Sequence, residues 1–89
     1  MTSRIQKRSV MLHGHKTSVS LEAEFWDCLK RIAARKRLRV SALIMRIDAD
    51  RNGTNLSSAI RLFVLQDLEA RLAGIPELID RISSESRAA

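Results

Sequence analysis

The stretch His15-Lys16-Thr17-Ser18-Val19-Ser20-Leu21 decides how the chain is read. Thr17, Val19 and Leu21 alternate with Lys16, Ser18 and Ser20, the period of a strand with one buried face. A helical pattern follows with no loop between. No second strand of matching length is evident nearby. A lone strand leaves its backbone donors and acceptors unpaired, and a two-stranded ribbon is marginal without packing. The expectation is therefore that this strand pairs with its own copy in a symmetric dimer. Such a ribbon would lay Thr17, Val19 and Leu21 on the helices and turn Lys16, Ser18 and Ser20 outward. A cation and hydroxyls on a two-stranded ribbon suit the major groove of B-DNA. The competing reading is an edge strand whose Lys and Ser face water.

Upstream, residues 1–8 are polar and basic without periodicity. They read either as an unstructured start or as an arm whose Arg4, Lys7 and Arg8 touch DNA phosphates. Ser9-Val10-Met11-Leu12-His13 alternates weakly, and Gly14 permits a bend. This suggests a short extra strand or an extended arm within a basic segment of residues 1–14. His13, His15 and Cys28 are too few and too scattered for a zinc site, which needs three or four ligands at workable spacing, so no metal is expected.

Downstream, three helices are expected, at about 22–36, 41–51 and 55–73. In the first, Phe25, Leu29, Ile32 and Ala33 form an apolar stripe flanked by Trp26, with acid early and base late. Cys28 sits off the stripe and has no base near it in sequence, so it reads as a passive thiol. Ser41 is the expected N-cap of the second helix, in which Val40, Leu43, Ile44 and Ile47 share a face. Arg51-Asn52-Gly53 is a stop. Thr54 or Asn55 caps the third helix. Its Leu56, Ala59, Ile60, Phe63, Val64, Leu65, Leu68 and Leu72 cover over half its circumference, which implies burial on more than one side. Gly74 ends it, Pro76 opens a short C-terminal helical turn, and residues 83–89 read as a disordered tail.

The bulk numbers agree with a small DNA-binding domain. Eighty-nine residues make one domain, and a chain this short buries only about 60–65% of its unfolded surface, so dimerisation would help it. The net charge of +6 is uneven. Residues 1–53 hold 12 Lys and Arg against 5 Asp and Glu, a net +7, and residues 54–89 hold 4 against 5, a net −1. Basic charge at one end points to a polyanion, either nucleic acid or an anionic membrane. No apolar run is long enough to span a bilayer, and the basic N-terminus lacks the apolar core of a signal peptide. One cysteine excludes an internal disulfide, and a cytoplasmic protein fits best.

Together these segments resemble a ribbon–helix–helix DNA-binding protein, the class that contains the Arc and methionine repressors. The closer resemblance is to a bacterial subgroup of small proteins with an extra helix. It is carried by Lys7-Arg8-Ser9-Val10, by Gly14 through Glu22, by Phe25-Trp26, and by Asn55-Leu56-Ser57-Ser58-Ala59-Ile60-Arg61. The run from Thr17 through Trp26 is its most specific part. The resemblance implies a mainly α fold in which one N-terminal strand pairs across an intertwined homodimer, with the ribbon–helix–helix domain at 15–82. It implies base contacts from Lys16, Ser18 and Ser20, although two of these are serines, which specify bases weakly.

It also implies a helix N-terminus gripping phosphate. The expectation places that grip at Asn55, Leu56 and Ser57, with the start of the second helix at Ser41 as the competitor and the second helix as an insertion. Val19, Leu21, Ile60, Phe63 and Val64 would form the dimer core. The function implied is sequence-specific binding of double-stranded DNA by a homodimer, with assembly beyond the dimer on DNA left open, as a transcriptional repressor. The alternative is a protein-interaction module, such as the antitoxin of a toxin–antitoxin pair, docking through Ile75–Ile82. No acid pair, nucleophile–base set or phosphate loop supports an enzyme, and no cofactor is called for.

Overall fold

The computed structural model describes residues 4–74. It opens with a hairpin: β1 spans Ile5–Leu12 and β2 spans His15–Glu22, antiparallel and in continuous register from Ile5 opposite Glu22 to Leu12 opposite His15. The two loop residues His13 (φ 52°) and Gly14 (φ 77°) both take positive φ. That is the type I′ turn whose twist matches the strands it joins. A Cβ on Gly14 would meet nothing within 4 Å, so glycine is there for its conformational freedom alone.

This corrects the expectation that β2 has no partner of its own length. Both strands have eight residues, and β2 pairs within its own chain. Within the basic 1–14 segment, Ile5–Leu12 is strand. The physical reason that β1 hides in the sequence lies on its inner face, which carries Gln6 and Arg8 as well as Val10 and Leu12. The two polar side chains bond each other, Arg8 donating to Gln6 Oε1, and one indole meets both the Arg8 side chain and the Gln6 main chain. Trp26 Nε1 donates to the Gln6 carbonyl at 3.0 Å, and the Arg8 guanidinium lies 5.0 Å from the Trp26 ring centroid. Alternation that a hydrophobic count would detect therefore covers only half of the strand.

α1 (Ala23–Arg35) follows β2 directly. It buries Trp26, Leu29, Ile32 and Ala33, so the buried stripe is centred one residue later than expected, and Phe25 is half-buried beside it. The helix ends with Arg37 at φ 57°, where the Leu38 N–H closes on the Ala33 carbonyl at 2.9 Å. α2 (Val40–Asp50) buries Leu43, Ile44 and Ile47. Its N-cap is Arg39, without a side-chain bond, and Ser41 lies inside the first turn. Ser41 is therefore not the cap; the start is shifted because Leu38 and Val40 already pack on the core. α3 (Leu56–Ala73) is capped by Asn55, whose side chain accepts from the N–H groups of Ser57 and Ser58 at 2.9 and 3.3 Å.

All three helices contact one another, and the hairpin is drawn onto them by Leu12, Val19 and Leu21. Ile60 and Val64 are the buried residues of α3. Four of the five residues expected at a dimer core, Val19, Leu21, Ile60 and Val64, are thus enclosed by one chain at 0–1% exposure, and Phe63 is half-buried. The cause is β1: it supplies an internal partner for β2 and lets three helices close over the hairpin. The broad apolar girth of α3 does not translate into burial all round, since Leu62, Leu65, Leu68 and Leu72 are 40–52% exposed. The expected C-terminal helical turn and tail lie outside the described residues.

Candidate nucleic-acid interface

The hairpin has two chemically different faces. The Ala23 N–H donates to the Arg4 carbonyl at 3.2 Å, so that pair is a bonded rung. Bonded and unbonded rungs alternate in an antiparallel ladder. The bonded rungs are therefore Gln6–Leu21, Arg8–Val19, Val10–Thr17 and Leu12–His15, and these residues share the inner face. The remaining rungs, Ile5–Glu22, Lys7–Ser20, Ser9–Ser18 and Met11–Lys16, put their side chains on the outer face. Their backbone groups point away from the ladder, along the two outer edges.

Lys16, Ser18 and Ser20 therefore do lie together on the outward face, with Lys16 and Ser18 exposed and Ser20 half-exposed. Sequence reasoning missed that Lys7, Ser9 and Met11 stand beside them. The signal was present: Lys7, Ser9 and Met11 alternate with Val10 and Leu12. Lys7, expected to touch phosphate, sits directly opposite Ser20. Arg8 does not share this face. Its guanidinium is held over Trp26 and donates to Gln6 Oε1 at 2.9 Å. Arg4 precedes β1, is exposed, and closes the ladder through its carbonyl.

The N-terminus of α3 comes to the ribbon. Ser18 and Thr17 line one wall of a cleft of about 310 Å³, and Asn55, Leu56 and Ser57 line another. One of the expected base-facing residues, Ser18, thus shares a rim with the expected phosphate-facing ones. Two of the N–H groups at that end are already taken by the Asn55 side chain. The N-terminus of α2 has no side-chain cap and is flanked by the exposed Arg37 and Arg39.

Two ion pairs fasten α3 to the body: Arg61 Nε to Glu22 Oε1 at 2.9 Å and Arg35 to Asp67 at 2.7 Å. The Arg61 hydrogen bond holds the Glu22 carboxyl below its ordinary value. At the hairpin turn, His13 Nε2 lies 3.8 Å from Asp48, which also pairs with Arg51. Among the described residues, no group of three or more His, Cys, Asp and Glu is placed to hold a metal, and no helix is long and apolar enough to cross a membrane. Cys28 is half-buried beside Ile32, Val64 and Leu68.

A strand with a polar outer face followed by packed helices has the element order of the ribbon–helix–helix domain. Residues 5–68 match the model of that family, and the chain belongs to it. A solved structure, that of an uncharacterized protein from Bordetella pertussis Tohama I, is similar at a TM-score of 0.70 and 38% sequence identity. The match covers 81% of this chain, which spans 62% of the Bordetella chain. No curated relative matches significantly.

Proposed function

We propose that the protein is a sequence-specific double-stranded DNA-binding regulator that acts as a homodimer, represses transcription, and has no enzymatic activity of its own. The observation that carries this reading is the outer face of the hairpin, where Lys7, Ser9, Lys16, Ser18 and Ser20 form a cationic and hydroxylic surface on a ribbon backed by a core. A ribbon of that width enters the major groove, where lysine and serine can reach base edges. Lys16, Ser18 and Ser20 are the base-facing set. Phosphates would be neutralised by Arg4 and by the basic residues around the domain, giving affinity without sequence information.

The phosphate grip is assigned to the Asn55–Leu56–Ser57 end of α3, because it borders the ribbon at Ser18. A second reading places it at the α2 end, and the open N–H groups beside Arg37 and Arg39 favour that. Ser57→Pro and Ser41→Pro decide between them, since each removes one N–H in a first helical turn where proline is tolerated. Ser57→Pro also removes a donor to the Asn55 cap, so loss of DNA affinity on Ser57→Pro alone, with the thermal melt of the wild type retained, supports α3; loss on Ser41→Pro alone moves the grip to α2. The overall reading is tested by selecting bound fragments from a genomic library with the purified chain. A shared sequence motif is expected; random recovery would overturn sequence-specific binding.

A further inference from the structure

The outer face of the hairpin collects cations and hydroxyls, yet it also carries Ile5 at 58% and Met11 at 57% exposure. These are the two most exposed large apolar side chains among the described residues. Both belong to β1, and they stand near its opposite ends. One exposed apolar residue is ordinary on a protein surface; what separates these two is their company. Ile5 lies opposite Glu22, whose carboxylate repels a phosphate backbone. Met11 lies opposite Lys16 and diagonal to Ser18, two of the residues assigned to base edges.

We propose that Met11 reads a thymine, its thioether chain packing on the 5-methyl group in the major groove beside the base edge that Lys16 contacts. This rests on the DNA-binding reading above and adds a specificity determinant on β1, a strand that contributes nothing to the base-facing set named there. Among the four bases thymine alone presents a methyl group in that groove, and an apolar side chain is what recognises it. Methionine suits the task, being unbranched, polarizable and able to adapt to the surface it meets. Met11–Lys16 is an unbonded rung, in which opposite side chains stand closest, with Cβ atoms about 4.5–5.5 Å apart. That separation is one to two base-pair steps of about 3.4 Å. The thymine is therefore expected within two base pairs of the position that Lys16 reads.

The test replaces each thymine of the selected motif in turn by deoxyuridine, which removes the methyl group and keeps every hydrogen-bonding group. Affinity is read by fluorescence anisotropy. For the wild type, one such replacement is expected to weaken binding about fourfold, the equivalent of about 0.8 kcal/mol for one buried carbon. This arm needs no variant to fold. Met11→Ala should bind the thymine and uracil duplexes alike, whereas Ile5→Ala should discriminate between them as the wild type does. A wild type that selects a motif but is indifferent to every uracil overturns the inference and leaves DNA recognition standing. So does Met11→Ala with undiminished sensitivity, or a sensitive thymine more than two base pairs from the position whose preference Lys16→Ala relaxes. A chain that selects no motif overturns the DNA reading, and this inference with it.

Discussion

Trp26 shows how much of this fold depends on one side chain. Its ring is 1% exposed, its N–H satisfies the Gln6 carbonyl, and its face receives Arg8. Trp26→Phe keeps most of the apolar area but removes one of the two donors to that backbone carbonyl, the other being the Leu21 N–H of the bonded rung. The expected loss is about 0.5–1.5 kcal/mol in urea unfolding, the net value of one hydrogen bond, and an unchanged midpoint would remove the indole N–H from the account. Glu22 makes a second residue-scale argument. Its carboxyl is held below the ordinary value of 4.5 in the folded chain, first by the Arg61 hydrogen bond. A lowered folded value means the contribution is present in full above the unfolded value and is lost as pH falls through the folded one. Stability of the wild type should therefore drop more steeply than that of Glu22→Gln as pH is lowered below about 4.5. Equal slopes in urea titrations at several pH values would show that the pair is not linked to folding.

Among the elements, the hairpin is half legible in the sequence. β2 can be read because every inward residue from Thr17 on is compatible with burial, and the helices are legible to within a residue or two from their apolar periods and from Gly53 and Gly74. β1 is not, because two of its four inward side chains are polar: Arg8 lies over the distant Trp26 ring and donates to the Gln6 side chain. No local pattern carries that information. The turn carries a stronger signal than the strand before it: His13-Gly14 is a two-residue loop with glycine second, as a type I′ turn prefers. Without β1, an unpaired β2 demands another chain, and the residues that pack beneath it then look like a dimer core. The turn gives a direct check. Gly14 sits at φ 77° with open space around its missing Cβ, so Gly14→Ala should cost about 1–2 kcal/mol through backbone conformation alone. Gly14→Asn should cost less, since asparagine tolerates this region. A larger loss for Asn than for Ala in thermal melts would contradict the conformational account.

The whole molecule combines a net charge of +6 with an outward ribbon that carries a lysine on each strand. Those two facts make different predictions about DNA. Charge in general predicts counterion release: if about 6 phosphates are neutralised per dimer, log affinity should fall against log salt with a slope near −5. The ribbon lysines divide by place. Lys16 lies opposite Met11 near the turn, and Lys7 lies opposite Ser20 near the open end of the hairpin. If the ribbon enters the groove turn-first or lies along it, Lys16 is flanked by the hydroxyl of Ser18 and by Met11, a setting in which a base edge is the natural partner. Lys16→Ala is then expected to weaken specific binding by roughly 1–3 kcal/mol while leaving the salt slope on non-specific DNA nearly unchanged. Lys7→Ala, if Lys7 meets phosphate, should weaken binding to all sequences alike and make the slope shallower by about 1. Filter-binding or anisotropy titrations of both variants, on operator and random duplex over a range of salt, separate the two roles. The reverse pattern would exchange them and place the base-reading end of the ribbon at Lys7 and Ser20.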